Sequence, residues 1–337
     1  MYRIAALLAV LAGCAAPPAP VSSLKPAVDA AVLPLRHPAL VVGVLRDGRP
    51  EILAYGAATP ASIFEIGSIT KVFTSRLLVL LDAEGKVAFD DAVQRHVPPG
   101  WVVPAREGRP ITLAQLATHT SGLPVLPANL DPRDARNPYA DYSDDRLRAF
   151  LAGYKLRRPP GERYEYSNLG AGLLGWVLAR VDGRSYEEAV VARIGDPLGL
   201  KDTRIRLSDD QKRRQVPGHS AGVPVWNWDI PVISGAGALR STAGDLLRFL
   251  ADNLEHPDVG HEPRFRTSEK GPWVGLGWHL SPLPQSGRTM IWHNGATGGY
   301  RSFAGFVKES RTAVVVLANS TEEVDALAVA VLDILQR

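Results

Sequence analysis

The chain of 337 residues is poor in cysteine: it has one, Cys14, so no intramolecular disulfide can form. It also lacks a charge excess. Lys and Arg number 38 against 35 Asp and Glu, a net charge of +3. That balance, with arginine scattered and not blocked, argues against a nucleic-acid partner. Beyond the N-terminus no apolar run approaches membrane-spanning length, and no internal repeat is found. The eight histidines form no His-Glu-x-x-His or other ligand-spaced cluster, and no nucleotide fingerprint follows a strand. These absences leave an ordinary globular body, 45% hydrophobic and 22% charged, for which neither metal nor cofactor is expected.

The single cysteine sits in a telling place. "MYRIAALLAVLAGC" offers Arg3, an apolar run from Ile4 to Leu11, and small residues before Cys14, the pattern of a secretory signal. "LAGC" resembles a bacterial lipobox, in which cleavage leaves a lipid-bearing cysteine as the first residue. The expectation is a signal peptide over 1–13 and a lipid-anchored Pro/Ala-rich tether over 14–34. A folded body over 35–337 would then lie at the periplasmic face of a bacterial membrane.

Along the body, "ALVVGVLRDGRPEILAYG" reads as a hairpin turning at Asp47-Gly48. A helix opens near Ser68 with Ile69, Val72, Phe73, Leu77, Leu78 and Leu81 as its buried stripe, stopping at Gly85. Thr112 and Gln115 make a capping-box pattern for a helix ending at Gly122 and Pro124. Further helices are expected over "SDDRLRAFLAGY", after "YEYSNLG" as far as Gly183, and from Ser241. Four strands then precede a last helix over about 322–336. Strands at both ends and helices between predict an α/β (α+β) fold. The N- and C-terminal strands close one antiparallel sheet (about 35–80 and 235–337), with a mainly helical insertion at about 81–234.

"FEIGSITK" places Ser68 and Lys71 one helical turn apart, on one face. Ser68 reads either as a helix cap or as a nucleophile beside its base; Ser-x-x-Lys alone is weak, and it recurs at Ser22–Lys25 in the expected tether. A rival, "GHSAG" at Gly218–Gly222, matches a Gly-x-Ser-x-Gly elbow. Pro217, Pro224 and Pro231 forbid the strand–turn–helix context that motif needs. "YEYSNLG" sets Tyr166 and Asn168 at the start of an apolar helix, as a turn with Asn168 capping or as a phenol and carboxamide at a cleft. "WHNGATGGYRS" ends a strand at His293 and continues through Gly295, as a glycine-rich turn or as a strand edge open to substrate with His293 a donor facing the serine. Trp226 and Trp228 alternate in "VWNWD", as packing groups or as a lining that favours bulky acyl groups.

Taken together, "SITK", "YSN" and "HNG" resemble the three active-site motifs of the penicillin-recognising serine hydrolases. The similarity is to the class C β-lactamase-like branch, which includes D-alanyl-D-alanine carboxypeptidases and related esterases. "LAQLATHTSGLP" and "GAGALRSTAGDLLRFL" resemble framework segments of that branch, so the likeness runs from about Leu40 to the end of the chain. The resemblance implies Ser68 as acylated nucleophile, and Lys71 and Tyr166 as the groups that move its proton. It implies Asn168, His293 and Gly295 at the substrate, and the backbone N–H groups of Ser68 and Ala296 as oxyanion hole. The implied substrate is a β-lactam or a peptidoglycan stem peptide, acted on by a monomer. A small-ester esterase and a penicillin-binding sensor without turnover are the competing readings. Two departures bear on the choice: His293 stands where class C β-lactamases carry lysine, and Val125 and Leu126 follow "HTSGLP" where they usually have glutamine. Both remove polar substrate contacts.

Overall fold

The computed structural model describes residues 24–32 and 37–337; the expected signal peptide and Cys14 lie outside them. In chain order come helix α1 (Lys25–Val32), strands β1 (Ala39–Arg46), β2 (Arg49–Gly56) and β3 (Phe64–Glu65), and helix α2 (Thr70–Ala83). The two-residue strands β4 (Ala105–Arg106) and β5 (Arg109–Pro110) lead to helices α3 (Leu113–Ala117), α4 (Asp144–Gly153) and α5 (Asn168–Asp182). Helices α6 (Tyr186–Val190), α7 (Asp196–Leu198) and α8 (Asp209–Arg214) follow, then strands β6 (His219–Ser220), β7 (Val223–Pro224) and β8 (Arg240–Ser241). Helix α9 (Ala243–Glu255) precedes β9 (Phe265–Arg266), β10 (Trp273–Val274), β11 (His279–Pro282), β12 (Thr289–Ala296), β13 (Arg301–Val307), β14 (Thr312–Ala318) and helix α10 (Asp325–Ile334).

Eight strands make one antiparallel sheet in the order β2-β1-β14-β13-β12-β11-β10-β9, joining the two ends of the chain. The β1–β2 turn is tight because Asp47 and Gly48 both take positive φ, 51° and 73°, the twist a two-residue hairpin needs. Strand alternation then sorts side chains to two cores. Val41, Leu45, Val315 and Leu317 face the larger core with α2, α5 and α9, whereas Leu40, Val42, Val314 and Val316 face a second core with α1 and α10. The predicted stripe of α2 is fully buried. Among the described residues no helix is long and apolar enough to cross a membrane.

The fold corrects several local expectations. Residues read as the end of the tether form α1, whose Leu24, Val28 and Val32 recur every four residues and pack into the second core. The prolines that suggested a tether do not prevent this, because Pro26 lies in the first turn, where its missing N–H has no helical partner to lose. Thr112 and Gln115 do form a capping box, but α3 ends at Ala117, well before Gly122. Helix α9 is capped by Thr242, not Ser241, whose hydroxyl bonds instead near Thr203. "GHSAG" is a small hairpin of β6 and β7 turning at Ala221 and Gly222, with no helix after Ser220.

Candidate active site

Ser68 does not cap α2. It lies in a 3₁₀ turn, Gly67–Ile69, and the residue at the α2 N-cap, Ile69, makes no side-chain cap. Its Oγ is thereby left to other partners, accepting from Lys71 Nζ at 2.8 Å and from Tyr166 Oη at 2.9 Å. Lys71 is 2% exposed. Besides Ser68 it donates to Asn168 Oδ1 at 2.8 Å and to the Ala236 carbonyl at 2.7 Å. Burial pushes its pKa below the ordinary lysine value, and Tyr166 opposes that shift. An ammonium fills all three contacts; a neutral amine can keep two and accept the Ser68 proton on its lone pair. The geometry thus suits both protonation states.

Helix α5 presents the second group of residues. Ser167 is its N-cap, accepting from Gly170 N at 2.8 Å, so Asn168, the alternative cap in the sequence, is the first helical residue and reaches Lys71. Tyr166, immediately before the cap, is gripped by a residue the sequence reading passed over. His119 accepts from Glu165 N on its carbonyl at 2.8 Å and from Ser167 N on Nδ1 at 3.1 Å. Its ring lies 4.5 Å from the Tyr166 ring, centroid to centroid. His119 holds this position at φ 58°, a left-handed conformation uncommon outside glycine. Its place in "HTSGLP" was the only signal available.

The third group comes from β12. Gly295 lies so close to the nucleophile's segment that a Cβ there would stand 2.1 Å from the Ile66 carbonyl oxygen. Gly67, at φ 48°, lies against Ala296, where a Cβ would stand 2.7 Å from its nitrogen. Ser302 Oγ donates to the Ile66 carbonyl at 2.8 Å and holds the two segments together. Ala296 and Ser68 therefore line one pocket, with Asn168 and Trp228. Trp226 stands outside it, exposed beneath the Arg136 guanidinium.

His293 differs from its expected role as a donor facing the serine. It is 1% exposed, and its Nδ1–H donates to the Asn294 carbonyl, which leaves Nε2 as a bare acceptor with no partner among the described residues. Burial, then His279 and Lys71, hold it well below the ordinary histidine range. His119 is likewise held down by burial and Lys71, and His279 is pushed to about 4 by burial and Lys71. The site is therefore ringed by neutral imidazoles.

That ring predicts acid lability. A histidine at about 4 when folded and about 6.5 when unfolded contributes stability above pH 6.5 that is lost as pH falls towards 4. For His279 this amounts to about 3 kcal/mol. Denaturant unfolding at pH 7 and pH 4 should show His279→Gln with a smaller pH dependence than wild type by about that amount. Equal dependence in both proteins would remove His279 from the account.

A serine hydrogen-bonded to a buried lysine and a tyrosine, at the mouth of a helix beside strand β12, defines a class of serine hydrolases that work through an acyl-enzyme. The model of the Beta-lactamase family matches residues 28–336, and the chain belongs to that family. It is 30% identical to the D-alanyl-D-alanine-carboxypeptidase/endopeptidase AmpH of Escherichia coli (strain K12), over 81% of this chain and 77% of the relative. It is 25% identical to a beta-lactamase of the same strain, over 93% of each chain. A solved beta-lactamase/D-alanine carboxypeptidase from Yersinia pestis shares the fold at TM-score 0.81 and 23% identity, covering 94% of this chain and 98% of the other. A solved class C beta-lactamase does so at TM-score 0.81 and 24% identity, covering 93% and 96%. The protein is a class C β-lactamase-like serine hydrolase.

Proposed function

We propose that Ser68 attacks the carbonyl of a D-alanyl amide or a β-lactam ring and carries the acyl group as a covalent intermediate. The observation that carries this reading is the Ser68 Oγ held by both Lys71 Nζ and Tyr166 Oη. Neutral Lys71 accepts the serine proton as the Oγ–carbon bond forms. The carbonyl's electron pair moves onto oxygen, towards the backbone N–H groups of Ser68 and Ala296, each such donor being worth about 3 kcal/mol at the transition state. As the tetrahedral intermediate collapses, Tyr166 passes its proton to the leaving nitrogen and is resupplied from Lys71. Water then attacks the ester by the same route in reverse. Asn168 holds Lys71 through Oδ1 and lines the pocket, where it meets the substrate.

The signal-like N-terminus and "LAGC" support an exported lipoprotein anchored through Cys14, acting on wall peptides at the periplasmic face of a bacterial membrane. Small-ester hydrolysis is a second reading. It is favoured by the neutral, buried His293, which offers no cation to a substrate carboxylate.

A substrate panel separates the two. D-alanine release from an N-acylated D-alanyl-D-alanine peptide, or opening of a chromogenic cephalosporin, and its absence in Ser68→Ala, is the expected result. Turnover of p-nitrophenyl acetate alone would transfer the assignment to the esterase reading.

A further inference from the structure

Tyr166 must hold its hydroxyl on Ser68, yet it stands on irregular backbone. Residues 163–167 belong to no helix or strand, so their N–H groups depend on partners elsewhere in the chain. Two of those partners are atoms of His119. Its carbonyl accepts from Glu165 N at 2.8 Å and its Nδ1 from Ser167 N at 3.1 Å, so the N–H groups on either side of Tyr166 end on one residue. The His119 ring packs against the Tyr166 ring at 4.5 Å and meets Tyr164 edge-on at 5.8 Å.

The holding residue is itself fixed. His119 is 2% exposed, and its neighbours in the chain are tied down on both sides. Thr118 Oγ1 donates to the Ala114 carbonyl at 2.9 Å, Thr120 N to the Gln115 carbonyl at 2.9 Å, and Gly161 N to the Thr120 carbonyl at 2.8 Å. The left-handed turn at φ 58° lets carbonyl and ring reach the same stretch of backbone. Nδ1 accepts only while it carries no proton, so the ring is held as the neutral form with its hydrogen on Nε2.

We infer that His119 is a positioning residue of the reaction: through its carbonyl and Nδ1 it keeps Tyr166 Oη on Ser68 Oγ, and so sets how fast the leaving group receives its proton. The inference rests on the roles proposed above for Ser68 and Tyr166. Two substitutions separate the parts of the hold. Glycine and asparagine both suit the left-handed conformation. Asparagine also offers Oδ1, bonded to Cγ as Nδ1 is, as an acceptor for Ser167 N, whereas glycine offers none.

The test measures acylation by p-nitrophenyl acetate, p-tolyl acetate and benzylpenicillin in His119→Gly and His119→Asn, each alone and combined with Tyr166→Phe. Intact mass locates the acyl group, and rates are taken per acylatable Ser68. A phenol displaced by about 1 Å should lower kcat about 10²-fold in His119→Gly. KM should stay within about threefold. The loss should be smallest on p-nitrophenyl acetate, whose leaving group departs without a proton, and larger on p-tolyl acetate and benzylpenicillin. His119→Asn should recover at least about tenfold of it, and in the Tyr166→Phe background His119→Gly should cost less than about threefold. The same loss with and without the Tyr166 hydroxyl, the same loss on every substrate, or asparagine no better than glycine would overturn the role of His119 alone. Tyr166→Phe acylated at the wild-type rate would overturn the assignment of Tyr166 on which the inference rests, and an acyl group found away from Ser68, or with no substrate at all, would overturn the nucleophile.

Discussion

Lys71→Met lowers kcat/KM for acylation roughly 10⁴-fold, the scale on which a nucleophile without its proton acceptor fails. The size of the effect follows from what Lys71 does at one atom. It is the buried amine within 2.8 Å of Ser68 Oγ, and it is itself aimed by Asn168 and the Ala236 carbonyl. Methionine keeps the length and apolar stem of the side chain but removes both the lone pair and the charge. Burial lowers the pKa of Lys71, so the neutral amine is present at lower pH than in an exposed lysine, and wild-type activity falls only as pH drops through that depressed value. The pH profile of kcat/KM should show that acid limb. A variant with more than about 1% of wild-type activity would assign the proton transfer elsewhere, first to Tyr166.

Gly295→Ala is expected to cost about 10²–10³ in kcat and about 1–3 kcal/mol in stability. A methyl group there would meet the Ile66 carbonyl oxygen at 2.1 Å and Ser302 Oγ at 2.3 Å, both held in one hydrogen bond. Relief requires β12 to retreat from the segment before Ser68, carrying Ala296 N away from where substrate oxygen would lie. Displacements of about 1 Å at such a place cost about 10² in rate. Thermal unfolding and single-turnover acylation measure the two losses separately. Full acylation rate in a destabilised variant would show that this contact supports the fold and not the reaction.

What the sequence made legible was local. The buried stripe of α2, the Thr112–Gln115 capping box and the Gly183 stop of α5 rest on spacing within a few residues, and the sheet formed from both chain ends followed from the order of such local elements. The proximity of Ser68 and Lys71 also rests on spacing. What it hid lies between residues far apart in the chain. Asn168 meets Lys71 across 97 positions, and the Ala236 carbonyl meets it across 165. No periodicity records such contacts, and Asn168 read equally well as a helix cap until Ser167 took that place. His293 was misjudged because residue type suggests a donor, whereas its burial and its bond to Asn294 make it an acceptor. The two tryptophans of "VWNWD" were indistinguishable on paper. Their separation, with Trp228 in the pocket and Trp226 in solvent, depends on loop 134–140 arriving from elsewhere in the chain. Helix α1 went unseen because a proline-rich context outweighed three apolar residues at helical spacing.

The central claim is that Ser68 becomes covalently acylated, and intact mass after mixing with benzylpenicillin over seconds to an hour tests it most directly. The account predicts an adduct on wild type, or penicilloate in solution if deacylation is fast, with neither in Ser68→Ala. Adduct or product undiminished in Ser68→Ala would contradict it.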